Sequence, residues 1–192
     1  MQRQSFFIGL GLTALTSLAS LSIRLSASFG QSTTSESQPN KVTFFCRQII
    51  DKASGENIPA TVAWIPERQG HIRFVGWKSE YFSKSGLTPE KRCEKVTAKF
   101  QESYDQGRLN YLSYGISNGY PIICGLANQG ETCNSSNQLF TIKSGSNSEL
   151  VLRRLTDISE GKSSDVLLQS SGEQVYLAVQ DFFKKTPLIN TK

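Results

Sequence analysis

The chain has 192 residues, 38% of them hydrophobic and 19% charged, with a formal net charge of +5, one histidine and four cysteines. No run of five like charges occurs, and the balance falls to +3 once Arg3 and Arg24 are set aside with the N-terminal segment, which holds no acid. So mild an excess argues against nucleic-acid binding and against strong attraction to a membrane surface, and leaves a solvated surface of mixed sign.

Arg3 provides a positive start, Phe6 to Leu21 form an uncharged apolar and small-residue run, and small residues around Ser26 to Gly30 offer a signal-peptidase site, for example after Gly30 with Ser28 at the −3 position. Residues 1–30 therefore read as a secretory signal peptide. An uncleaved anchor is the alternative. The run is shorter than the roughly 20 apolar residues of a spanning helix and rich in Gly, Ser and Thr, which favours cleavage. No cysteine lies near the cleavage region, which argues against a lipoprotein anchor. Residues 31–41, largely QSTTSESQPN, are polar and without apolar periodicity, a flexible linker. Residues 42–185 then make a single domain large enough for a real core, and 186–192 a C-terminal tail.

Val42–Asp51 reads as a first strand, and the turn signal Ser54-Gly55-Glu56-Asn57 leads to a second, Pro59–Ile65, as a hairpin. Arg68-Gln69-Gly70 is a further turn before a third strand, Ile72–Lys78. The clearest element follows. Thr88 is a natural N-cap, Pro89 fits the first helical position, and Cys93, Val96, Phe100 and Tyr104 recur at helical spacing, with Gly107 placed to close the helix. The spacing predicts a helix over Pro89–Gln106. Leu109–Ile116 and Tyr120–Leu126 flank Ser117-Asn118-Gly119, a strong hairpin signal because Asn-Gly tolerates positive φ. A Gly- and Asn-rich loop, Asn128–Asn137, precedes a strand at Gln138–Lys143. Ser148–Thr156 suits a short helix, Gln174–Val179 a last strand, and Asp181–Lys185 a short terminal turn or helix. No repeat and no regular βαβ alternation is present. The expected class is α+β, a mainly antiparallel sheet with one principal helix (about 89–106) packed on it, stapled by disulfides.

Cys46, Cys93, Cys124 and Cys133 form an even set behind an export signal, which implies disulfides in an oxidising compartment. Three pairings exist. Cys124 and Cys133 enclose a short Gly-rich loop that is easily closed, leaving Cys46 on the first strand and Cys93 on the helix's buried face to tie sheet to helix; we favour that pairing. A metal site would need CxxC-type spacing or histidine partners, and neither is present.

A Ser–His–Asp triad would have to use His71, which falls in a turn between the second and third strands, and no GxSxG elbow accompanies it. A surface turn histidine is the plainer reading. A Cys–His pair is disfavoured because the compartment and the even count favour oxidised cysteines. Glu90, Glu94 and Glu102 on the helix alternate with Lys91, Lys95 and Lys99, as on a solvated, ion-paired face rather than at a carboxylate catalytic site. There is no phosphate loop, no calcium-loop pattern and no cofactor signature. The aromatics are more suggestive. Trp77, Tyr81 and Phe82 precede the helix, and Tyr111, Tyr114 and Tyr120 fall on the following hairpin. Exposed, they make a protein- or glycan-contact face; buried, they are the core between helix and sheet. Core is favoured for Trp77 and Phe82, and the two readings are even for Tyr120. Arg92 beside Cys93 and Asn110 before Tyr111 either buttress the core or contact a ligand, with the former preferred. The candidate contact face is Trp77, Tyr81, Arg92, Asn110 and Tyr120.

Phe45-Cys46, Ser79, Tyr81-Phe82, Gly86, Thr88-Pro89, Arg92-Cys93, Val96 and Phe100-Gln101 form a spaced pattern. It continues through Gly107, Leu109-Asn110-Tyr111-Leu112, Asn118-Gly119, Pro121-Ile122-Ile123-Cys124, Cys133 and Leu139-Phe140-Thr141. Over about residues 42–180 this resembles the cyanobacterial circadian oscillating protein family. The resemblance implies an exported, membrane-associated cyanobacterial protein and supplies no catalytic residue. The expectation is thus a non-enzymatic, disulfide-stabilised binding or accessory module at the periplasmic or lumenal face of a membrane. It would have an envelope protein as partner and peripheral membrane association, without cofactor or nucleic acid. A regulator of an envelope protease is a sharper form of this. The alternative is an envelope hydrolase using carboxylates or His71.

Overall fold

The computed structural model describes residues 39–159 and 174–189, all within one compact unit; the expected signal peptide, most of the expected linker and the last three residues lie outside the described residues. Among the described residues two four-stranded antiparallel sheets are present. The first has the order β1-β2-β3-β8, from Thr43–Ile50, Asn57–Ile65, Gly70–Gly76 and Leu188–Ile189. The second has the order β6-β5-β4-β7, from Gln138–Thr141, Tyr120–Leu126, Tyr111–Ser117 and Leu177–Ala178. The helices are α1 (Pro89–Asp105), α2 (Ser148–Ser159) and α3 (Val179–Lys185). The α+β class and the two hairpins are as the sequence predicts, with the strands divided between two sheets.

Helix α1 forms for local reasons. Thr88 Oγ1 accepts from Lys91 N at 3.4 Å and Pro89 occupies the first position. Cys93, Val96, Thr97 and Phe100 make the buried stripe. Gly107 at φ 67° then allows Arg108 N to reach back to Ser103 O at 2.8 Å, which ends the helix at Asp105. The stripe meets Phe44, Ala63, Ile65 and Phe74 of the first sheet and Leu139 and Phe140 of the second, so both sheets share one core. Phe100 lies 5.0 Å from Phe74 and 5.5 Å from Phe44, centroid to centroid.

Three expectations are corrected. His71 is in β3, paired with Trp64, and is 5% exposed rather than a surface turn residue, because pairing with β2 extends back to Gly70. The expected last strand is reduced to Leu177–Ala178, paired with Leu112 and Tyr111, after which α3 begins. Leu188–Ile189, in the stretch expected to be a tail, add to β3 opposite Ile72 and His71. Arg68 clamps this return, its Nη1 donating to Phe183 O at 2.7 Å and Thr186 O at 2.6 Å.

Candidate functional site

The segment between β3 and α1 carries the densest polar–aromatic arrangement. Trp77 N donates to Pro59 O at 2.8 Å, which continues the β3 edge and turns the indole inward. Its Nε1 donates to Thr61 Oγ1 at 3.1 Å, and that hydroxyl lies 2.9 Å from Thr97 Oγ1 on α1. Trp77 is 3% exposed and meets Phe140 edge-on at 5.4 Å. As a contact-face candidate it is therefore corrected: a buried N–H needs a partner, and Thr61 supplies it inside the core.

What reaches the surface is the side chain laid over it. The Arg92 guanidinium lies 4.8 Å from the Trp77 ring and 4.6 Å from the Phe82 ring, and its Nη1 donates to Ser79 O at 3.3 Å. Tyr81 meets Phe82 edge-on at 4.8 Å and is 46% exposed; Lys143, beyond β6, lies 5.4 Å over the Tyr81 ring. A continuous stack thus runs Phe140, Trp77, Arg92, Phe82, Tyr81, Lys143. Each cation–ring contact contributes about 0.5–2 kcal/mol, more where desolvated. Burial lowers the pKa of Arg92, and a guanidinium nonetheless keeps its charge. Among the described residues no carboxylate lies within 4.0 Å of it.

Tyr81 and Arg92 are brought together; Asn110 and Tyr120 share no hydrogen bond or ring contact with them. Asn110 is a buttress, its Nδ2 donating to Ala127 O at 3.0 Å and its backbone tied to Leu126 O and Val179 N, each at 2.9 Å. Tyr120, 48% exposed, sits at the β4–β5 turn near Ile116, 73% exposed.

The cysteines pair as favoured, Cys46 with Cys93 and Cys124 with Cys133, and no free thiol remains. Cys93 adjoins Arg92, so the first bridge ties the helical turn carrying the guanidinium to β1. The second bridge packs its Cys133 end on Gly115, where an added β-carbon would stand 2.6 Å from Cys133 O. The sequence reading missed Gly115, although a glycine inside a strand pattern signals a close approach. It also missed the ion cluster at the first hairpin. There Lys78 Nζ lies 3.3 Å from Asp51 and 2.8 Å from Glu56, with Arg73 3.6 Å from Asp51. The Ser54 hydrogen bond, and then Lys78, hold the Asp51 carboxyl below its usual range.

His71 packs between Trp64, at 5.1 Å, and Phe45, at 6.0 Å. Burial, then the charge of Arg47, lowers its pKa. Glu90, Glu94 and Glu102 are exposed on α1 with Lys91, Lys95 and Lys99. Among the described residues no group of three His, Cys, Asp or Glu side chains is placed to hold a metal ion, and no helix is long and apolar enough to cross a membrane. Two disulfides suit an oxidising compartment.

A family model described as circadian oscillating protein COP23 matches residues 43–184. No curated protein and no solved structure matches the chain.

Proposed function

The chain belongs to the circadian oscillating protein COP23 family, and we propose that it works as a non-enzymatic binding or accessory module, exported to the periplasmic or lumenal side of a cyanobacterial membrane and peripheral to it. The observation that carries this reading is the cation–aromatic stack. Arg92 and Lys143 are laid on the Trp77, Phe82 and Tyr81 rings at the surface, with Arg92 next to a disulfide-tied turn. A rigid face of aromatic and arginine side chains is the kind of surface that anchors protein contacts. The apolar N-terminal run and the two disulfides support export.

Its partner is an envelope protein rather than a nucleic acid, since the net charge is mild. The test is a crosslinked pull-down of the tagged protein from the native envelope, with an Arg92→Ala variant alongside. One stoichiometric partner, lost with Arg92→Ala, supports the module. An empty capture with the protein folded and its disulfides formed overturns it.

A further inference from the structure

We infer that the Arg92 stack is a carboxylate-binding site that takes an acidic segment of a partner protein, an inference that rests on the binding-module reading and names the chemistry of its ligand. A guanidinium has five N–H donors, and among the described residues only the bond from Nη1 to Ser79 O engages the Arg92 side chain. It is nonetheless partly withdrawn from water, against two rings and without a carboxylate within 4.0 Å among the described residues. Glu80, a close neighbour in the loop, accepts from Ser83 Oγ instead. A cation held in this way carries a desolvation cost that an incoming anion relieves.

The fork is also held in place. Trp77 is fixed by its bond to Thr61, Phe82 by the short turn that Ser85 and Leu87 close onto its carbonyl, and the next residue in the helix by the bridge to Cys46. A planar fork with its orientation set by stacking matches a planar carboxylate in two parallel hydrogen bonds, and loses little freedom in doing so. Lys143, over Tyr81 at the far end of the stack, gives a second positive charge for the next acidic residue. Anionic membranes, in contrast, are held by clusters of roughly 4–8 basic residues, and this stack presents two. The pattern fits one or two carboxylates on a peptide.

The test titrates the disulfide-bonded protein with a labelled peptide of Glu residues spaced by Gly and Ser, and with the same peptide carrying Gln for Glu. The Glu peptide is expected to bind at least about tenfold more tightly, the worth of one charge-assisted hydrogen bond, and to weaken with salt. Arg92→Lys, which keeps the charge and loses the fork, is expected to cost about tenfold in peptide affinity while the protein stays folded with a modestly lower melting temperature. Lys143→Gln, at an exposed side chain that does not touch the core, is expected to cost about threefold and carries the test if Arg92→Lys fails to fold. Equal binding of the two peptides overturns the site, as does wild-type affinity in both variants. Binding to phosphatidylserine vesicles that Arg92→Lys abolishes, without peptide binding, moves the site to lipid and overturns it too. If both variants still capture the envelope partner of the parent protein, the carboxylate site falls and the binding module stands.

Discussion

Gly115 and Cys133 approach so closely that a β-carbon on the glycine would lie 2.6 Å from the cysteine's carbonyl oxygen and 3.1 Å from its Sγ. Strand β4 and the disulfide loop touch there with no room for a methyl group. Gly115→Ala is expected to lower stability by about 1–3 kcal/mol, as overpacking does. A urea midpoint reads this directly. In a background lacking the Cys124–Cys133 bridge the same substitution should cost less, because the loop is then free to move off the strand; an equal cost in both backgrounds would remove the bridge from the explanation.

The two bridges are expected to differ in value. Cys46–Cys93 closes a separation of 47 residues and Cys124–Cys133 one of 9. Loop-closure entropy then assigns about 4 kcal/mol to the first and about 2.6 kcal/mol to the second. Cys46→Ser with Cys93→Ser should therefore cost more than Cys124→Ser with Cys133→Ser in equilibrium unfolding. Unchanged stability in the first double variant would contradict a native bridge between β1 and α1.

His71 sets an acid limb on stability. Its pKa is lowered in the fold, by burial first and by Arg47 second, so the folded state binds a proton less readily than the unfolded chain. The contribution is fully present above the unfolded value of about 6.5 and is lost as pH falls below it toward the folded value. Denaturant midpoints measured from pH 8 down to pH 5 should fall in the parent and fall less in His71→Gln. Parallel profiles would place the titrating group elsewhere.

Arg68 holds the C-terminal return through two carbonyls, those of Phe183 and Thr186. A hydrogen bond to a charged donor contributes about 1.5–3 kcal/mol. Arg68→Ala should accordingly free Leu188–Ile189 from β3, read as faster amide exchange and earlier proteolysis there, while the exchange of α1 is unaffected. Uniform loss of protection across the domain would show that the clamp supports the whole core.

Much of the candidate site was legible and much was not. Arg92 stood out because no cap, turn or periodicity used it, and Tyr81 because an aromatic in a polar loop calls for an explanation. Lys143 was invisible, since it reaches Tyr81 from 62 positions further along the chain. Trp77 was ambiguous because an aromatic at a strand end suits a core and a contact face equally; a hydroxyl on the neighbouring strand settled it.

By itself the sequence determined what local physics controls. A cap at Thr88, a stop at Gly107 and a three-to-four apolar spacing specify α1, Asn118-Gly119 with its positive φ specifies the β4–β5 turn, and the nine-residue spacing of Cys124 and Cys133 favours the short bridge. Each of these depends on a few adjacent residues. The division into two sheets, the burial of His71, the pairing of Leu188–Ile189 with β3 and the stack from Trp77 to Lys143 were decided only in the tertiary structure. They depend on which distant segments share an edge or a core, and pairings of two residues leave no periodicity in the chain to announce them.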